Sequence, residues 1–186
     1  ALPHHGVGRE ALVHPLVVAR FEASELAVLG RMLDRGRNAP ATSSVGRLFD
    51  GVASLLGLRH RSRFEGEAAM QVQFAAESWS GRATPFPFRI ADGALDFRPM
   101  LRAMSDGVAA GDDPAALARR FHATLASMIA SVAEQKGMTK VALGGGCFQN
   151  RLLVAECRSA LEAVGATVFT PSEVPANDGG LAVGQL

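Results

Sequence analysis

Apolar positions recur at helical spacing in the first half of the chain and shift to short runs and alternation in the second. Residues 1–20 carry His4, His5, His14, Pro3 and Pro15 and show no period, so they read as an irregular N-terminal segment. From Glu22 onward, Leu26, Leu29, Met32 and Leu33 fall on one stripe until Gly36 and Pro40 break it, which predicts a helix over about 22–36. Thr42-Ser43-Ser44 then offers three N-cap residues. Val45, Leu48, Phe49, Val52, Leu55 and Leu56 follow at helical spacing up to Gly57, predicting a second helix over about 44–57. A basic stretch, Arg59-His60-Arg61-Ser62-Arg63, leads to a third helix over about 65–78 through Ala68, Ala69, Val72 and Ala76.

The texture changes at Pro85. Phe86-Pro87-Phe88-Arg89-Ile90 and Ala94-Leu95-Asp96-Phe97 alternate around Asp92-Gly93, a hairpin signal. Pro99 opens a helix expected to end near Gly107. Asp112-Asp113-Pro114 is a cap with proline at the first helical position, and the helix behind it carries Phe121, Leu125, Met128, Ile129 and Val132 as a core stripe. Lys140 to Leu143 reads as a buried strand, Gly144-Gly145-Gly146 as a tight turn, and Asn150 to Val164 as an amphipathic helix with Leu152, Leu153, Leu161 and Val164 inward. Thr167 to Thr170 reads as a second strand, and the loop 175–180 opens a final short helix. Strand–helix–strand order from 139 on predicts an α/β layer with a parallel pair. The expected organisation is residues 1–20 irregular, 21–84 helical and 85–186 an α/β lobe.

Composition places the chain among globular proteins: 186 residues, 48% hydrophobic and 20% charged. Nineteen basic residues against eighteen acidic ones give no electrostatic case for nucleic acid or an anionic membrane as a partner. No apolar run approaches the ~20 residues of a membrane span. Cys147 and Cys157 lie roughly 15 Å apart if the stretch between them is helical, too far to bridge, and are read as reduced thiols in a cytoplasmic protein.

Several residues invite chemistry. Gly144-Gly145-Gly146 between strand and helix would let backbone N–H groups approach a phosphate, or would simply make a tight turn; it is neither a Walker loop nor the dinucleotide fingerprint. Asp178, beside Gly179 and Gly180, is either a ligand or a helix cap. Glu65 and Gly66 in Phe64-Glu65-Gly66-Glu67 could meet ribose hydroxyls or complement a helix dipole. Ser44 is explained by capping, and Arg47 and Asp50 by a solvated helix face. The five histidines show no i, i+4 pair and read as surface residues. Cys147 reads as a buried, inert thiol.

In combination and in order, four stretches resemble one family. They are Thr42 to Asp50, Phe64 to Met70, Ala142 to Leu153 (Ala-Leu-Gly-Gly-Gly-Cys-Phe-Gln-Asn-Arg-Leu-Leu), and Pro175 to Gln185 with its Asn-Asp-Gly-Gly core. The family is that of HypF, the carbamoyltransferase of nickel–iron hydrogenase maturation, in its C-terminal part. The resemblance runs from about Phe21 to the end.

It implies half of an actin-like ATPase (ribonuclease H-like) fold with an added helical region, related to the enzymes that transfer threonylcarbamoyl to tRNA. It implies ATP or carbamoyl-adenylate as ligand and passage of the carbamoyl group to the C-terminal cysteine of a HypE-type partner. Gly144, Gly145 and Gly146 would line the nucleotide, Asn150 would reach its phosphate or sugar, and Glu65 and Gly66 would sit by the adenosine. Ser44 and Asp50 would belong to the same cleft. Asp178 would be a ligand of a divalent metal (iron, zinc or magnesium), facing the cleft. The family's acylphosphatase-like, zinc-finger and adenylate-forming domains do not occur in this sequence, nor does the histidine pair that completes the metal site. The reading is therefore a fragment or truncated relative that keeps half a nucleotide cleft and works with the N-terminal domains of a parent enzyme. A non-catalytic docking module and a tRNA threonylcarbamoyl transferase lobe are the alternatives.

Overall fold

The computed structural model describes residues 18–19, 21–38, 42–91, 93–180 and 182–183. The expectations for most of residues 1–20, for Pro40, for Asp92 and for a helix beginning at Leu181 lie outside them. The chain separates into two compact units, 1–44 and 45–186.

In the first unit, helix α1 spans Ala23–Arg35. Glu25 reaches back to the Glu22 N–H (2.9 Å), closing its first turn, and Gly36 at φ +58° ends it. Leu26, Leu29 and Met32 of the expected stripe are half-buried, whereas Leu33 is exposed.

The second unit opens with α2 (Val45–Leu55) and α3 (Glu67–Ser78). A hairpin of β1 (Arg89–Ala91) and β2 (Ala94–Asp96) pairs Ile90 with Leu95. Helices α4 (Arg98–Ala110) and α5 (Pro114–Gln135) follow. The expected strand residues Phe86 to Phe88 are not in the sheet. Pro85 and Pro87 have no N–H to give a ladder, and the Phe86 N–H goes instead to Thr124 Oγ1 at 2.8 Å. Phe86 is thereby buried on α5, with the Arg120 guanidinium 3.9 Å above its ring. Gly107 was expected to end α4 but lies inside it. A Cβ there would stand 2.8 Å from Asp112 Oδ2 and 2.9 Å from Leu117 Cδ2, so this glycine serves close packing, and Gly111 at φ +83° ends the helix.

Helix α5 is the centre of the unit. It is capped by Asp113, whose carboxylate accepts the Ala115 N–H at 2.8 Å, and it packs against α3 and α6. Its buried set is wider than the expected stripe: Leu117, Ala118, Phe121, His122, Thr124, Leu125 and Met128 are all enclosed. Burying each large apolar side chain here contributes roughly 1.5–3 kcal/mol.

The last third is the predicted parallel α/β unit: β3 (Lys140–Ala142), α6 (Arg151–Ala163) and β4 (Thr167–Phe169), with Val141 opposite Val168. Strand β3 is not buried throughout. In a two-stranded sheet with α6 packed on β4, alternate residues turn away, and Lys140 and Ala142 are exposed. Leu153 and Leu161 of α6 are buried and Leu152 half-buried, but Val164 is exposed because it sits at the C-cap, off the helical face.

Candidate functional site

The glycine segment leaves β3 and turns at once into a short 3-10 turn, Gly146–Gln149, before α6 starts at Arg151. Gly145 has φ +97°, a conformation that a side chain resists, which accounts for glycine at this position. Gly144 and Gly146 do not have positive φ, and a Cβ built on either would meet nothing within 4 Å. The space above them is open. The turn closes with Phe148 N–H to Gly145 O (3.0 Å) and Asn150 N–H to Cys147 O (3.2 Å). The N–H groups of Gly146 and Cys147 precede the first of these bonds and find no backbone acceptor among the described residues.

The 175–180 loop is joined to this turn directly. The Gly145 N–H donates to Ala176 O at 2.7 Å. Asp178 opens the 3-10 turn Asp178–Gly180 and is exposed. The cap of that turn is Asn177, whose Oδ1 accepts the Gly179 N–H at 3.1 Å. Asp178 makes no hydrogen bond among the described residues, so its carboxylate is not spent on capping. No group of three or more His, Cys, Asp or Glu side chains among the described residues could hold a metal ion. One carboxylate falls short of the ligand set a divalent ion needs.

Asn150 is buried (9% exposed) and fully oriented. Its Oδ1 caps α6 by accepting the Leu153 N–H at 2.9 Å, and its Nδ2 lies 2.9 Å from His122 Nε2. His122 is enclosed at the centre of α5, which corrects the reading of the histidines as surface residues: it lies on the Ala118–Ala126 face that packs inward. Burial lowers its pKa to about 4, so the ring is neutral, and the Arg119 charge acts in the same direction. The next residue, Arg151, pairs with Glu77 of α3 (2.9 Å) and holds that carboxyl down at about 2, with Gln73 adding a second hydrogen bond.

Glu65 and Gly66 precede α3; Glu65 is exposed, and Gly66 is the helix N-cap at φ +81°. Beside them Glu67 is the enclosed acid, only 3% exposed and ion-paired to Arg59 and Arg63. The Arg63 N–H also donates to it at 2.6 Å. The Arg59 and Arg63 hydrogen bonds lower the Glu67 pKa to about 2. Glu67 is thus an anchor for the basic stretch 59–63. Glu65 and Gly66 lie at the end of α3 away from Glu77 and Arg151, roughly 16 Å along the helix. The structure does not gather them onto the glycine turn.

Asp50 is half-exposed on α2, in an i, i+3 pair with Arg47 at 3.3 Å. Helix α2 also packs against the Gly146–Gln149 turn. Ser44 belongs to the first unit, and its N–H donates to Thr42 Oγ1 at 3.1 Å. Cys147 is half-buried, where it was expected fully buried, and desolvation pushes its thiol up from the ordinary value. Cys157 is buried and pushed up to about 12; both thiols are free.

His122, Glu67 and the Glu77–Arg151 pair were not singled out in the sequence. The signal for the first was a polar ring inside the apolar stripe of α5. For Glu67 it was two arginines four and eight residues ahead.

Comparison with known proteins bears on the family and the fold. The family described as "Carbamoyltransferase, Kae1-like Domain, second subdomain" matches residues 7–185. The carbamoyltransferase HypF of Synechocystis sp. is 39% identical over 162 residues, covering 85% of this chain and 21% of its own length. The HypF of Rhizobium leguminosarum bv. viciae is 40% identical over 167 residues, covering 87% and 21%. A crystal structure of full-length HypF in its phosphate- and nucleotide-bound form superposes with a TM-score of 0.81 at 30% identity, covering 90% of this chain and 27% of that one. The chain thus spans about a fifth of the length of these curated relatives. No helix among the described residues is long and apolar enough to cross a membrane. With the profile, the sequences and the fold in agreement, the chain belongs to the HypF carbamoyltransferase family, as the second subdomain of its Kae1-like domain.

Proposed function

We propose that this chain supplies one wall of a nucleotide cleft in a HypF-type carbamoyltransferase. In this reading the cleft holds ATP or carbamoyl-adenylate while the carbamoyl group passes to the C-terminal cysteine of a HypE-type partner. The remaining walls come from the N-terminal domains of the parent enzyme, and the reaction takes place in the cytoplasm.

The observation that carries the reading is the open Gly144–Gly146 backbone tied through Gly145 to the loop of Asp178. Uncovered backbone at a strand-to-helix junction, with N–H groups lacking acceptors, suits phosphate oxygens. A full-length HypF that superposes on this chain is known in a phosphate- and nucleotide-bound form. Asn150 holds its amide at the end of the same turn, with one Nδ2 hydrogen beyond the one facing His122. Glu65 and Gly66, one helix length away, would meet the other end of an extended nucleotide. Asp50, on the helix that packs against the Gly146–Gln149 turn, is assigned to the rim. Asp178, exposed and unspent, would complete a divalent metal site only with ligands from the parent's other lobe. Bound there, the ion would screen phosphate charge; this chain's own part is to present one carboxylate.

Titration calorimetry with a non-hydrolysable ATP analogue tests the reading on this chain. Saturable binding at one site per chain is expected. Absence of binding at millimolar analogue by a folded chain would favour a docking module of the same fold, which need not hold adenosine.

A further inference from the structure

His122 is fully buried, and the nucleotide cleft as described makes no use of it. Its ring lies edge-on to Phe49 and Phe121, with centroids 5.6 and 5.8 Å away. A carbonyl oxygen only accepts, so Nδ1, 2.9 Å from Ala118 O, carries the ring proton. In the neutral ring, Nε2 is then an acceptor, and what faces it at 2.9 Å must be the amino group of Asn150. An amide that turns its nitrogen to His122 turns its oxygen the other way, where it receives the Leu153 N–H at 2.9 Å. The same residue's backbone N–H closes the glycine turn onto Cys147 O. One proton position in the core therefore fixes the amide that joins the turn to α6.

We infer that His122 is a positioning residue for nucleotide binding: acting through Asn150, it sets where the Gly144–Gly146 backbone stands at the head of α6. The functional half of this inference rests on the nucleotide reading above; the structural half does not. A histidine that merely fills the core would leave the turn indifferent to the acceptor at its Nε2.

Two variants separate these. His122→Gln keeps an acceptor at the reach of Nε2, whereas His122→Leu keeps bulk without one. Backbone amide exchange is followed by NMR, and a non-hydrolysable ATP analogue is titrated by calorimetry. In His122→Leu, exchange at the Leu153 and Asn150 amides is expected to quicken on the order of tenfold, about 1.4 kcal/mol, with Ala126 to Ala133 of α5 unchanged. The Kd is expected to rise by a similar factor with one site per chain retained, and His122→Gln is expected to restore both. Asn150→Ser, which keeps a cap oxygen but does not reach His122, carries the same test should His122→Leu not fold. The inference is overturned if exchange at Leu153 stays at the wild-type rate, if it rises uniformly along α5 and α6, or if His122→Gln behaves as His122→Leu. If the wild type binds no analogue while the exchange pattern appears, the nucleotide reading falls and the positioning role stands.

Discussion

Between Gly144 and Arg151 the chain passes from backbone that nothing covers to side chains held by two other helices. At the first end, Gly144 and Gly146 have open space above them, and Gly145 is held through its backbone alone, its N–H donating to Ala176 O and its carbonyl accepting from Phe148. At the second, Asn150 is fixed by His122 of α5, and Arg151 pairs with Glu77 of α3. The contrast shows how one short motif divides its work. Backbone that is to receive a ligand, as proposed for this segment, must stay uncovered, so it has no packing of its own to hold it still. Rigidity has to come from the neighbouring residues. The buried hydrogen bonds of Asn150 supply most of it, because Arg151 is largely exposed, and pairs with a solvent-exposed partner contribute about 0–1 kcal/mol.

The largest expected effect breaks the held end by acid. The pKa of His122 is lowered in the folded protein from its ordinary 6.5 to about 4, chiefly by desolvation; the hydrogen bond to the Ala118 carbonyl opposes this, the Arg119 charge lowers it further, and the Glu77 charge raises it. A lowered folded-state value means that the contribution is fully present above about pH 6.5 and is lost as pH falls toward 4. The shift corresponds to roughly 3 kcal/mol. Denaturant unfolding of wild type and His122→Leu across this window checks it: the wild-type advantage should shrink by that order as pH falls. A constant difference would show that the ring titrates alike in both states.

Smaller effects sharpen the open end. Gly145→Ala should cost about 1–2 kcal/mol, since its φ of +97° strains any residue with a Cβ. Gly144→Ala should stay within about 0.5 kcal/mol, as its new methyl group meets nothing. Asp178→Asn should be equally neutral, since Asn177 rather than Asp178 caps the turn. Melting temperatures rank the three. A loss of several degrees for Asp178→Asn would mean that its carboxylate holds the loop after all.

Element types were legible because period and punctuation agreed. The helices α1 to α3, the Gly93 hairpin and the β3–α6–β4 unit all follow from apolar spacing bounded by glycine, proline and caps. The misreadings arose where tertiary contact overrode a local signal. Gly107 is a helix breaker by type but a packing surface in place, because a Cβ there would displace the Asp112 and Leu117 side chains. Phe86 to Phe88 alternate like a strand, yet Thr124 draws off the Phe86 N–H. For the candidate site, the glycine turn and the 175–180 loop were visible as motifs, and their bond through Gly145 could not be. Asn150 was visible as part of a motif, but its tie to His122 spans 28 residues between helices, and no local spacing reveals it.

Whether the Gly144–Gly146 backbone receives a phosphate group, as proposed, is decided by amide NMR during titration with a non-hydrolysable ATP analogue. The amide signals of Gly144, Gly146 and Cys147 are expected to move progressively and saturate together. The Leu153 amide, held by Asn150, should move little. In Gly146→Ala, folded as stably as the wild type, the movement should require several-fold more analogue. Saturable binding that shifts amides elsewhere while leaving Gly144 to Cys147 in place would contradict the claim, and so would an unchanged titration in Gly146→Ala.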